Sequence, residues 1–540
     1  MAAFQRIRTL GRDLAVYGAG DVATQALSLL LLPLYVRYLS PGDYGALALL
    51  LTVEMLTKIV FRWGLDASFM RMYYDCHDQA SKQRLASTIV LFLAAANGVA
   101  LAAALAAAPA LSRSLLGSPS HAPALQLLLV NTFLSGFFFV PFHELRILRQ
   151  SERFIALTVT RSALTIALRL ALVIGLRLGV VGIVLADLVT TVLFALLLSP
   201  RFARLLRPIF SRAILAEALR FGLPRIPHGL AQQTVAVSDR YVLSRYVTLH
   251  EIGLYSIGAS FAMGLKLALN AFESAWAPLY FSLMREPDAK PTYRIVATWG
   301  AAVLIGLALM VSAAAPQIVR MLLPTPFHAA AIVIPWIAVA VVFQGIYLLT
   351  SIGLNIAKRT EFYPVATGAA ALSSIALNLL LVPRFGVTGA AVATACSYGV
   401  LAALSAMFAH RVYPVGYQWA RMARLAGAGL AAYGITVIAV PQDWPEPVAL
   451  VARAGMAAAV YAGLLAATGF LTASERRRMR AIWLAALRAR SARRQARPVE
   501  TEASETTELA GQVVSATAGE VIETTGPEPS AGRRQAGRDD

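Results

Sequence analysis

Stretches of about twenty apolar residues recur along most of this chain, beginning near residues 14, 45, 86, 122, 154, 180, 214, 252, 295, 328, 362, 386, 425 and 448. About twenty is the length a helix needs to cross roughly 30 Å of hydrocarbon. In lipid each backbone N–H and C=O must find its partner inside the protein, which restricts such a pattern to a bundle of membrane-spanning helices. Composition agrees: 58% of the residues are apolar and 14% charged, against about 25% charged in an ordinary soluble domain. The expectation is an all-α polytopic membrane protein with about 14 transmembrane helices.

The chain also repeats itself. RYLSPGDYG at 37–45 returns as RYVTLHEIG at 245–253, an offset of 208 that sets Asp43 against Glu251 and Lys58 against Lys266. IALRLALV at 166–173 returns as IALNLLLV at 375–382, and GVVG at 179–182 as GVTG at 386–389. Duplicated halves of this kind, related by an axis along the membrane normal, build transporter sites at their junction. The expected organisation is a cytoplasmic N-terminus (1–13), an N-lobe of six helices (14–200), a C-lobe of six (214–410) and two further helices (420–470). A basic amphipathic segment (471–497) and a disordered cytoplasmic tail (498–540) follow. In the segment, Met479, Ile482, Trp483, Ala486 and Leu487 share one helical face among arginines, the pattern of an interfacial helix.

Basic residues give the orientation, because Lys and Arg in short loops resist translocation. With the N-terminus inside, the inner loops hold 21 Lys and Arg residues, from Arg6 to Arg424. The outer loops hold seven: Arg37, Arg113, Arg177, Arg240, Arg245, Arg320 and Arg384. Both termini are then cytoplasmic. The net charge of +19 belongs on the face where anionic headgroups attract it, so membrane lipid is an expected partner and nucleic acid is not. Cys76 in a loop and Cys396 in a span cannot pair, which leaves no disulfide or metal framework.

Function has to be read from the polar side chains the spans retain. A charge at mid-bilayer costs on the order of 3 kcal/mol, so such groups face partners or watery cavities. The second span carries Glu54, Lys58 and Arg62 on one side; the first carries Asp21 and Gln25, and the fifth Arg161 and Arg169. The seventh carries Arg225, His228, Gln232 and Gln233, and the eighth Lys266, Asn270 and Glu273. At a rise of about 1.5 Å per residue, Asp21, Lys58, Arg161, Arg225 and Lys266 fall near the cytoplasmic boundary, with Gln25, Glu54 and His228 deeper. This is a mainly cationic belt. Glu54 and Lys58 are spaced to neutralise each other, and Arg169 can serve to tie helices together. Pro224 and Pro227 flank Arg225 and predict a kink there.

Several segments carry a family resemblance: LPLYVRYLSPGDYGALAL at 32–49, RFGLPRIP at 220–227, SDRYVLSRY at 238–246, AWAPLYF at 275–281 and LNLLLVPRFGVTGAAVAT at 377–394. In this order the chain resembles the polysaccharide (O-antigen type) flippases of the multidrug/oligosaccharidyl-lipid/polysaccharide exporter superfamily. The resemblance implies two six-helix lobes around a central cavity lined by helices one, two, seven and eight. It also implies a substrate, an oligosaccharide joined through diphosphate to a polyprenol and turned from the cytoplasmic to the periplasmic leaflet of the inner membrane, with no cofactor. Cationic side chains suit a diphosphate, Arg as a planar fork and Lys as a point charge. The expected diphosphate ligands are Lys58, Lys266, Arg225, Arg161 and Arg62; the expected sugar ligands are Gln25, Gln232, Gln233 and Asn270. Asp21, Glu54, Glu273 and His228 are the expected coupling groups. A polysaccharide polymerase and chain-length proteins are the expected partners. Two alternatives stand beside this. A drug or metabolite antiporter of the same superfamily favours an acidic cavity, and a membrane polymerase or ligase, an enzyme, would carry a large outer loop that this chain lacks.

Overall fold

The computed structural model describes residues 32–470 except 149, 285, 287, 442 and 443. The first span with Asp21 and Gln25, the basic segment and the tail lie outside the described residues, as does the side chain of His228. The described helices belong to one compact unit that ends at Thr468.

In the N-lobe, α1 (Pro41–Arg62) and α2 (Leu65–Tyr73) are separated by Trp63 and Gly64, both left-handed at φ 52 and 67. They are followed by α3 (Gln79–Leu116), α4 (Ala122–Ser135), α5 (Phe139–Ile147), α6 (Ser151–Leu170) and α7 (Gly179–Leu205). The C-lobe opens with α8 (Arg212–Gly222) and α9 (Arg225–Tyr246), divided at Leu223–Pro224. The interruption expected at the prolines is present. Next come α10 (Leu249–Ala262), α11 (Gly264–Leu283), α12 (Ala289–Leu322), α13 (Ile334–Thr350), α14 (Ile352–Ile356) and α15 (Phe362–Val412). α16 (Trp419–Ala439) and α17 (Glu446–Ala467) close the chain.

Eleven described segments are long and apolar enough to cross a membrane. α15 is 51 residues long and kinks at Gly386, whose φ of 54 and ψ of −132 are not helical, so it supplies two spans. α9 has the length of a span but carries Gln232, Gln233, Ser238, Asp239 and Arg240. With the kink and α9 counted, the helices agree with about fourteen crossings once the first span is included.

One loop assignment is corrected. Arg240 lies inside α9, not in an outer loop, because its charge is matched: its Nη1 is 3.7 Å from the carboxylate of Asp239 and its guanidinium stacks on Tyr255.

The repeat builds the junction between the lobes. RYLSPGD and RYVTLHE each start a helix with a capping box. Ser40 Oγ accepts from Asp43 N and the Asp43 carboxylate from Ser40 N; Thr248 and Glu251 do the same for α10. α1 and α10 then cross at Gly45 and Gly253, equivalent residues of the repeat. A Cβ on Gly45 would lie 1.9 Å from the carbonyl oxygen of Leu249, and one on Gly253 1.8 Å from that of Pro41. The pseudo-twofold axis therefore runs between two glycines, where only a hydrogen fits.

The lobes meet again at the other end of α1. A Cβ on Gly64 would lie 2.2 Å from the carbonyl oxygen of Gly222, and Ser68 Oγ donates to the carbonyl of Ala218 at 2.7 Å. The last two helices pack on α12, with Tyr461 donating to the carbonyl of Ala302 and Arg320 paired with Glu446 at 2.8 Å.

Candidate functional site

A cavity of about 240 Å³ opens in the N-lobe among α1, α4, α6 and α7. Helical spacing on α1 aims Leu51, Glu54 and Lys58 into it, and α6 contributes Arg161, Thr165 and Arg169, spaced by four. Asn131 and Ser135 come from α4, Asp187 and Thr191 from α7. Three of the charges that line it are basic and two acidic.

Two of the cations are matched. Arg169 holds Asp187 with both arms of its fork, Nε to Oδ1 at 2.9 Å and Nη2 to Oδ2 at 2.7 Å, the strong bidentate geometry. Lys58 Nζ is 2.6 Å from Glu54 Oε1. Arg161 is not matched: among the described residues its guanidinium makes no ion pair. It reaches only Thr191 Oγ1, at 3.5 Å, and stacks on Phe138 with 5.1 Å to the ring centre. Thr191 is itself held by Asn131 Oδ1 at 2.6 Å. The cavity thus carries an excess of one positive charge in a setting of low dielectric, where that charge attracts an anion strongly.

Of the residues singled out by sequence, the structure brings Lys58, Glu54, Arg161 and Arg169 together here. The others lie elsewhere. Arg62 pairs with Asp66 of α2 at 3.6 Å. Arg225 is exposed at the start of α9, its guanidinium 5.7 Å from the ring of Phe221, which Arg71 of α2 also approaches at 4.8 Å. Lys266 is half-buried on α11 and Glu273 is exposed on the same helix. Gln232 is exposed, and Gln233 and Asn270 are half-buried.

Two acids escaped the sequence reading. Asp187 is a single carboxylate in an apolar helix; it stands as far after Leu178 as Arg169 stands before it, so folding the α6–α7 hairpin about that turn pairs them. Asp239 is 3% exposed. It accepts a hydrogen bond from Tyr255, whose hydroxyl also lies 3.5 Å from Thr394 Oγ1, in a second, smaller cavity of about 40 Å³. Reading α9 as ending before Asp239 hid it.

The two lobes, the broken helices and the interior polar cavity define a multi-pass membrane protein with the fold of transporters. A lipid II flippase, MurJ, in an inward closed conformation has the same fold, at a TM-score of 0.67 and 15% identity over 84% of this chain and 99% of that one. An inward-facing multidrug resistance MATE family transporter of the MOP superfamily matches at a TM-score of 0.61 and 17% identity, over 75% of this chain and 96% of that one. Curated protein sequences give no match. Residues 34–332 match the family described as polysaccharide biosynthesis protein, and the chain belongs to that family.

Proposed function

We propose that the protein flips a polyprenyl-diphosphate-linked oligosaccharide across the inner membrane by alternating access, for export of a cell-surface polysaccharide. The observation that carries this is Arg161, a membrane-embedded cation with no carboxylate partner among the described residues, beside Lys58 in a polar cavity. Intramembrane charges are retained for function, and an excess of positive charge fits a diphosphate. A cation antiporter on the same fold would need the opposite balance. Membership of the polysaccharide biosynthesis family supports a glycan as cargo.

In this reading Lys58 takes the diphosphate from the N-lobe, drawn there by the excess positive charge that Arg161 gives the cavity, and Lys266 with Arg225 takes it from the C-lobe. Gln232, Gln233 and Asn270 hydrogen-bond the sugar while the polyprenol stays in lipid. Gln25 joins the sugar ligands, and Asp21, Glu54, Glu273 and His228 respond to an ion gradient or to the membrane potential. With both termini cytoplasmic, the Gly64–Gly222 contact closes the inner end and the Gly45–Gly253 crossing the outer one. Glycan polymerase and chain-length proteins would work beside it.

The test is export in cells. Lys58→Gln and Lys266→Gln should each reduce export at unchanged protein abundance, and the double variant should be non-additive because both groups bind one anion. Normal export by the double variant would remove the shared-ligand reading.

A further inference from the structure

One carboxylate in the N-lobe cavity holds one cation and shares the cavity with another that no carboxylate holds among the described residues. Glu54 holds Lys58 at 2.6 Å and lines the same cavity as the unmatched Arg161. The lysine side chain is 42% exposed and the glutamate 11%, so the lysine is the outward member and the acid the inward one. Asp187 is not available for exchange, since both its oxygens are held by Arg169.

The repeat separates what the fold needs from what the site adds. Carried across to the C-lobe, Glu54, Arg161, Arg169 and Asp187 fall on Ala262, Ala370, Asn378 and Thr394, and only Lys58 falls on its like, Lys266. Ala262 and Ala370 are fully buried. The same positions in the same fold are therefore packed without charge, and a lysine at this place stands without an acid one turn earlier. The Glu54–Arg161 couple is an addition to the N-lobe.

Resting on the flippase reading, we propose that Glu54 is an exchangeable counter-ion: an arriving diphosphate takes Lys58 from it, and the freed carboxylate turns to Arg161. Charge is then balanced better with substrate than without. In the empty state Arg161 is uncompensated; in the loaded state Lys58 faces phosphate and Arg161 faces Glu54. The exchange makes binding sensitive to the anion while sparing the cavity a permanent uncompensated acid, which would repel the substrate.

The test uses the full chain in phosphatidylcholine nanodiscs, with a fluorescent polyprenyl diphosphate lacking sugar as probe and the matching prenol as control. Wild-type protein should prefer the diphosphate. Glu54→Gln, which frees Lys58 outright, should bind it about tenfold tighter. Arg161→Gln should bind about tenfold more weakly, yet make little further difference in the Glu54→Gln background, and Arg161→Lys should restore most of the affinity. Glu54→Asp guards against a variant that fails to fold: it keeps the charge but shortens its reach, and should bind as weakly as Arg161→Gln. Equal losses from Arg161→Gln in both backgrounds, or weaker binding by Glu54→Gln, would overturn the exchange and leave diphosphate recognition standing. Absence of any preference for diphosphate over prenol in the wild type would overturn recognition itself, and the exchange with it.

Discussion

Arg169 and Asp187 show what a charge inside this bundle depends on. The pair joins α6 to α7 through two short hydrogen bonds, and removing one member leaves the other, half-buried beside the cavity, without its counter-ion. Arg169→Leu should lower stability by about 3–5 kcal/mol, whereas Arg169→Leu with Asp187→Leu should recover most of the loss. Denaturation in detergent checks this, and a double variant no better than the single one would contradict it. Charges were legible in the sequence where their partner lay one turn away, as with Glu54 and Lys58. They were not legible where the partner came from another helix: Arg169 was noted alone, and Asp187 passed unseen because a single acid among apolar residues carries no local pattern. The unmatched state of Arg161 emerges only from its neighbours in space.

At the scale of elements, the break between α8 and α9 and the turn between α1 and α2 meet in one latch. Ser68 donates to Ala218, the backbones of Gly64 and Gly222 touch, and Arg71 and Arg225 both approach the ring of Phe221. If this end opens to admit substrate, tying it shut must stop transport. With Cys76 and Cys396 replaced, a thiol cross-link between Ser68→Cys and Ala218→Cys should abolish export, and reduction should restore it. Unaltered export by the cross-linked protein would mean the latch does not open in the cycle. The proline pair announced this break, because a missing donor and a ring clash act locally. The end of α9 was not announced. Hydropathy reads Ser238, Asp239 and Arg240 as a loop, and their partners in space, Ser374 for Ser238 and Tyr255 for Asp239 and Arg240, explain why they stay helical.

For the whole molecule, the duplication was the most legible feature, since both copies must solve the same capping problem at Ser40 and Thr248 and the same crossing at Gly45 and Gly253. The asymmetry was less so: the repeat alignment held it, but its meaning needed the cavity. The proposed orientation, with both termini cytoplasmic, predicts that tags at residues 80, 150 and 290 stay inaccessible from the periplasm while tags near 118 and 443 are labelled. Periplasmic labelling at 150 would break both the orientation and the lobe assignment. The central claim, that a lipid-linked glycan diphosphate crosses through cationic side chains of the two lobes, is tested most directly by a flipping assay. Purified protein in liposomes would be given a fluorescent polyprenyl-diphosphate oligosaccharide, and the label in the outer leaflet would be quenched chemically. The account predicts that wild-type protein exposes the inner-leaflet label to quenching faster than protein-free liposomes do, and that Lys58→Gln with Lys266→Gln returns the rate to that baseline. Wild-type and double-variant rates that are equal would contradict it.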